Sequence, residues 1–182
     1  MKKKIRLSFS LLNLWSMGKT DQAVSTYFHL DTQKSPQMIA GSEFHKKMSR
    51  YILKNKAFPE WFSRLKLTNP VPDREIIVKY NEMFDLKSLY DCLDVGDLHE
   101  FKTGISDSLD YAGELQIPFY FLTAKIASIP IEKAYITHYN QYEKTSDFTI
   151  IWNSERMIEK AVNLIQTLGP EIYEFFLKEG LI

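Results

Sequence analysis

Two hydrophobic periods alternate along the chain, and the switches between them mark out its elements. From Ser35 onward, Met38, Gly41, His45, Met48 and Ile52 fall on one stripe at helical spacing, with Lys46, Lys47, Arg50 and Lys54 off it. Ser35 is a good N-cap and Pro36 suits the first helical position, so the pattern predicts a long helix from about Pro36 to Lys56. Shorter helices are expected from Ser8 or Ser10 through Trp15, and from about Thr20 to Phe28. Pro59, Pro70 and Pro72 then punctuate a loop-rich connection around Trp61. Period-two patterning predicts strands near Glu75–Asn81, Lys87–Asp94, Asp97–Thr103, Glu132–Asn140 and Asp147–Trp152. A helix is expected over about Ser108–Ser128, with Pro118 kinking it or marking its true start. Ser154 caps a last helical region, which Gly169-Pro170 should break before Glu171–Lys178. No internal repeat, low-complexity tract or linker stands out.

The stretch SLYDCLDVGDLHEFKTG, from Ser88 to Gly104, carries the chemistry. Val95-Gly96 makes a two-residue hairpin loop in which Gly96 supplies the positive φ. That register sets Asp94 against Asp97, Leu93 against Leu98, Cys92 against His99 and Asp91 against Glu100. Alternation then puts Asp91, Leu93, Leu98, Glu100 and Lys102 on one face. Two carboxylates directly opposite repel each other, and a divalent cation, with Lys102 beside it, would neutralise them. On the hairpin alone, a solvated face with a Glu-Lys pair is the plain alternative. For His45 the alternative is a core histidine, and for Gln116 and Tyr120, at i and i+4, ordinary helix surface.

Asp91 followed by Glu100-Phe101-Lys102-Thr103-Gly104 resembles the core of the PD-(D/E)XK nuclease superfamily, and most closely its RecB-type exonuclease branch. Three further features resemble that branch. GSEFH, Gly41 to His45, resembles its Gly-x-x-x-His, and Gln116 with Tyr120 its Gln-x-x-x-Tyr. LSFSLLNLW resembles its Ser-x-Ser-x-Leu opening, although Met17-Gly18 stands where Cys-Pro often follows. Ser88 replaces a Gly, Tyr90 sits where the superfamily's name has Pro, and Phe101 replaces the usual Tyr. None of these removes a ligand.

The resemblance implies an α/β fold with a restriction-endonuclease-like core, a central mixed β-sheet flanked by helices. It covers roughly residues 8–178 and is read as one nuclease domain over 1–182. A helical part would span about 8–58, a sheet core about 75–152 and C-terminal helices about 154–180. It implies metal-dependent phosphodiester hydrolysis with catalytic Asp91, Glu100 and Lys102. Mg²⁺ or Mn²⁺ would be held by His45, Asp91, Glu100 and the carbonyl of Phe101. Lys102 would orient the attacking water, and Gln116 and Tyr120 would contact substrate or hold the Lys102 strand. Glu43 lies on a different helix face from His45 and is left out.

Composition permits this reading. With 182 residues, 45% hydrophobic and 14% aromatic, the chain is expected to be globular. The formal net charge of zero speaks against tight unassisted nucleic-acid binding, but a nuclease needs only a local basic groove and a metal. The single cysteine, Cys92, excludes an internal disulfide, points to a reducing, cytoplasmic setting, and cannot build the four-Cys iron–sulphur cluster of some RecB-type nucleases. Asn13 and the serines interrupt the apolar stretch after MKKKIR, so no signal peptide is expected, and no run is long enough for a membrane span. The expected partner is nucleic acid, DNA favoured, with a protein partner or a homo-oligomer left open. Two other readings stand beside the active exonuclease. One is an accessory DNA-binding module of recombination or repair, inactive or dependent on a partner. The other is an unrelated α/β interaction domain.

Overall fold

A computed structural model describes residues 4–30, 35–104 and 107–182; the first three residues of the MKKKIR start lie outside them. The elements run β1 (Ile5–Ser8), α1 (Phe9–Ser16), α2 (Thr20–Tyr27), α3 (Pro36–Asn55), β2 (Val71–Lys79), β3 (Phe84–Asp94) and β4 (Asp97–Thr103). They continue α4 (Ser108–Ala112), α5 (Gln116–Ile126), β5 (Lys133–Asn140), β6 (Thr145–Trp152) and α6 (Glu155–Lys178). The fold is α/β, a mixed six-stranded sheet flanked by helices.

The sheet is organised around β3, which is 11 residues long and shares one edge between two partners. β2 runs antiparallel along the other edge from Asp85 to Leu93. β1 pairs in parallel with Phe84–Lys87, and β4 pairs antiparallel with Cys92–Asp94. Because β2 overlaps both of these stretches, β1 and β4 must lie on the same edge of β3. Residues 88–91 therefore face a gap where neither continues the ladder. β4 then pairs in parallel with β5, and β5 antiparallel with β6.

The helices fill two apolar clusters. α1, α5 and α6 cover the larger one, which contains Leu7, Leu86, Phe119, Ile136, Ile165 and Phe176. α3 and the following loop cover the smaller one, built from Phe44, Met48, Ile52, Phe58, Phe62, Cys92 and Phe101. Trp15 packs edge-on against Phe175 at 5.2 Å and Tyr27 against Phe176 at 5.0 Å, so aromatic contacts join the N- and C-terminal helices.

Several local expectations change. Gly169-Pro170 does not break the last helix, since α6 runs through it. Ile158, Ala161, Ile165, Gly169, Ile172 and Phe176 are buried at helical spacing, while Pro170 and Gln166 are exposed. Thus the carbonyl that loses its partner at Pro170 faces water rather than the core. Gly169 is needed for contact, because a Cβ there would meet the Phe84 ring at 3.2 Å. The expected Ser108–Ser128 helix is two, α4 and α5, with Pro118 in the first turn of α5. Met38, placed on the buried stripe, is exposed, and Phe44 and Ser49 are buried instead. β1 escaped the sequence pattern because four residues give only two periods of alternation.

Candidate active site

The expected hairpin register holds for Asp94–Asp97, Leu93–Leu98 and Cys92–His99, and there the ladder stops. Asp91 and Glu100 are not ladder partners. The cause lies in β3. Phe84, Leu86 and Tyr90 belong to the cluster beneath α5 and α6, whereas Cys92, which strict alternation would put with them, belongs to the one beneath α3. On the neighbouring strand, Pro72 pairs with Cys92 and Arg74 with Tyr90, while Asp73 between them has φ of 53°, a left-handed conformation, opposite Asp91. Alternation is interrupted at the position of the acidic residue.

Asp91 consequently turns to α3. One carboxylate oxygen lies 2.8 Å from His45 Nδ1, and the other accepts the Phe101 amide at 2.7 Å. That amide is a backbone donor left over where the strands part. Glu100 and Lys102 face α5. Glu100 Oε1 lies 3.1 Å from the Lys102 ammonium and accepts from Gln116 Nε2 at 2.7 Å. Gln116 Oε1 accepts from Lys102 at 2.7 Å, and its second N–H goes to the Tyr120 hydroxyl at 2.8 Å. Tyr120 donates in turn to the Leu89 carbonyl at 2.9 Å, a backbone group exposed by the gap in the sheet. Every polar atom of the Gln116 side chain is thus committed, which locks Lys102 beside Glu100.

Glu100 is 4% exposed, and its Oε2 is buried with no hydrogen-bond partner. Burial first, then the charge of Asp91, pushes its carboxyl up to about 8 against the opposing effect of Lys102. Burial alone would pull His45 down, but the bond to Asp91 and the charges of Asp91 and Glu100 hold it above the ordinary imidazole value. Burial likewise works against the Lys102 charge, and Glu100 more than offsets it, so Lys102 is raised. The Tyr120 hydroxyl is raised well above the usual phenol value by burial and by the two carboxylates. Of the neighbouring polar residues, Asp94 has structural partners, whereas His99 Nδ1 is buried without one. Asp94 accepts the amides of Thr68 and Asn69, and burial takes the Cys92 thiol up to about 12 and His99 down to about 4.

The sequence motifs thus come together, His45 and Asp91 from one side and Glu100, Lys102, Gln116 and Tyr120 from the other. No group of three His, Cys, Asp or Glu among the described residues stands ready-made around an ion. The donor set nevertheless fits a hard divalent cation: carboxylate oxygens, one imidazole, and a buried Glu100 oxygen that lacks a partner. A cavity of about 520 Å³ adjoins the site, reaching from Gln116 and Tyr120 to Lys4, Arg6 and Lys87.

Two features at this site were not anticipated. Tyr111 of α4 lies under the Lys102 ammonium, 5.3 Å from ring centre, and beside His138. His138 pairs across the sheet with Lys102 and bonds Asp147 at 3.1 Å. Only the order of the strands reveals this, and that order cannot be read from spacing along the chain. Tyr90, the residue before Asp91, ties the Thr123 hydroxyl at 2.9 Å and the Tyr120 carbonyl at 3.2 Å.

No protein-family model matches the chain, and no curated protein matches it in sequence. Its fold matches solved exonucleases. An alkaline exonuclease from Laribacter hongkongensis superposes with a TM-score of 0.59 at 11% identity, over 97% of this chain and 93% of that one. The same enzyme in complex with dAMP gives 0.53 at 13% identity, over the same shares of 97% and 93%. A phage-related exonuclease from Haemophilus somnus gives 0.55 at 12% identity, over 98% and 97%. At such identities the likeness establishes the fold. Among the described residues no helix is long and apolar enough to cross a membrane.

Proposed function

We propose that the protein is a metal-dependent nuclease of the PD-(D/E)XK superfamily, a RecB-type DNA exonuclease using Mg²⁺ or Mn²⁺. The observation that carries this reading is Glu100, a buried carboxyl with one unpartnered oxygen, wedged between Asp91 and Lys102. A fold needs no such arrangement, since an apolar residue there would avoid the cost of burying charge. That its fold neighbours are exonucleases supports the same reading.

Asp91, Glu100, the Phe101 carbonyl and His45 would hold the cation. When bound, it would supply an activated water and neutralise charge on the scissile phosphate. Lys102, fixed by Gln116 and Glu100, would orient the attacking water and oppose the negative charge that builds on phosphorus. Gln116 and Tyr120 keep that lysine and the β3 backbone in register, and line the adjoining cavity where a strand would lie. Asp91 and His45 fix each other's orientation at the opposite side of the site.

The test is direct. Purified protein with Mn²⁺ or Mg²⁺ should shorten linear DNA, and EDTA should stop it. Because Glu100 turns towards Lys102 and Gln116 rather than joining a ready-made cage, a second reading deserves an arm: an accessory DNA-binding module that needs a partner for activity. A wild type that retards DNA on a gel with both metals, yet shortens neither DNA nor RNA, selects that reading.

A further inference from the structure

The charge on this chain is unevenly distributed. Between Glu43 and Lys66 it carries seven Lys or Arg and two Glu, a net +5 in a protein of formal charge zero. All seven cations are exposed. Trp61 lies in the same stretch, is 44% exposed, and is held in a fixed aromatic mount. Tyr139 meets it at 4.8 Å, Phe62 at 6.0 Å and Phe44 at 6.3 Å, all near edge-on, and the Lys47 ammonium stands 5.7 Å over its ring. The mount is continuous with the site above. Phe44 precedes His45 on α3, and Tyr139 pairs with Thr103, one residue beyond Lys102. Braced exposed aromatics among cations are the usual means of holding a single strand, the base on the ring and the phosphates on the cations.

We propose that Trp61 is a stacking platform for one unpaired base of a single-stranded nucleic acid, with Lys47 and its basic neighbours on α3 gripping the adjoining phosphates. The assignment rests on the nuclease reading for its purpose, since it supplies a strand to the His45 side of the site. A duplex fits less well, because its bases are already stacked on one another and offer no free face to the ring.

The experiment is fluorescence anisotropy with labelled oligo(dT) in EDTA, where no strand is cut. Trp61→Ala should weaken binding by roughly 5- to 150-fold, the loss of one base–aromatic stack, and Trp61→Phe should recover most of it. Lys47→Gln should lower the slope of log K against log salt by about one. A blunt duplex should bind more weakly than oligo(dT). A protein whose other tryptophans, Trp15 and Trp152, are replaced by Phe should lose Trp61 emission on adding oligo(dT); this reports the stack even where Trp61→Ala fails to fold. The proposal is overturned by unquenched Trp61 emission, by equal oligo(dT) affinity for a folded Trp61→Ala and the wild type, by preference for the duplex, or by polyglutamate binding as tightly as oligo(dT). Binding that shows the stack without any cleavage under metal would instead remove the nuclease reading and leave the platform standing.

Discussion

Replacing Glu100 by Gln tests whether this carboxyl is held at a cost to folding. Its native pKa of about 8 stands well above the value near 4.5 of an exposed glutamate. The native state therefore keeps a proton that the unfolded chain has lost, and stability falls as pH rises from 4.5 towards 8. At 1.36 kcal/mol per unit the loss reaches about 3 kcal/mol at pH 7 and levels off above pH 8 at about 5 kcal/mol. Against a usual stability of about 5–15 kcal/mol, that is a large fraction. Gln has the same shape and no charge, so Glu100→Gln should escape this slope. Urea unfolding in EDTA at several pH values between 5 and 9 measures it. The variant should be close to the wild type at pH 5 and more stable by about 3 kcal/mol at pH 7. Millimolar Mg²⁺ or Mn²⁺ should flatten the wild-type curve, because an ion bound only by the folded state stabilises it. A stability difference that does not change between pH 5 and 9 would refute the reasoning, since it would mean that Glu100 ionises as an exposed carboxylate does.

Lys102→Ala should lose nuclease activity by about 100-fold or more. It should also push the Glu100 carboxyl further up, so that the stability of the metal-free protein keeps falling above pH 8 where the wild type levels off; turnover assays and urea unfolding between pH 7 and 10 read the two effects. His99, taken down to about 4 by burial, binds its proton less well folded than unfolded, so it lowers stability as pH falls from 6.5 towards 4. His99→Gln should remove about 3 kcal/mol of that acid slope, measured by urea unfolding at pH 4 to 7. Gly169→Ala should cost about 1–3 kcal/mol in the same assay, since its methyl group would press on the Phe84 ring.

The elements that the sequence announced were those with local causes. Ser35 caps α3 by accepting the Met38 amide, Ser154 caps α6 by accepting that of Met157, and the β3–β4 turn lies at Val95-Gly96 with Gly96 at φ of 83°. Each is settled within a few residues. Where the sequence reading failed, the deciding contact was distant. Gly169-Pro170 reads as a stop, yet the burial of six apolar or small residues along α6 outweighs one missing hydrogen bond at a solvent-facing carbonyl. β1 is four residues long and becomes a strand only because Phe84–Lys87 offers it an edge.

The site divides along the same line. The register across the hairpin was legible, and alternation correctly puts Leu98, Glu100 and Lys102 on one side of β4. Alternation also placed Asp91 with them, and that step assumed an unbroken ladder. In the structure, β1 and β4 share one edge of β3 and leave residues 88–91 uncovered between them. Two backbone groups there need partners, and side chains provide them: Tyr120 for the Leu89 carbonyl and Asp91 for the Phe101 amide. Asp91 can reach that amide only by abandoning the face that alternation assigns to it, and Asp73 opposite takes the left-handed turn that lets β2 follow. The gap that made the face of Asp91 unreadable also brings it to His45 while Glu100 stays with Lys102. One interruption in the ladder therefore accounts both for the failed expectation and for the parting of two acidic residues that regular strands would have set face to face, Asp91 going to His45 and Glu100 to Lys102 and Gln116.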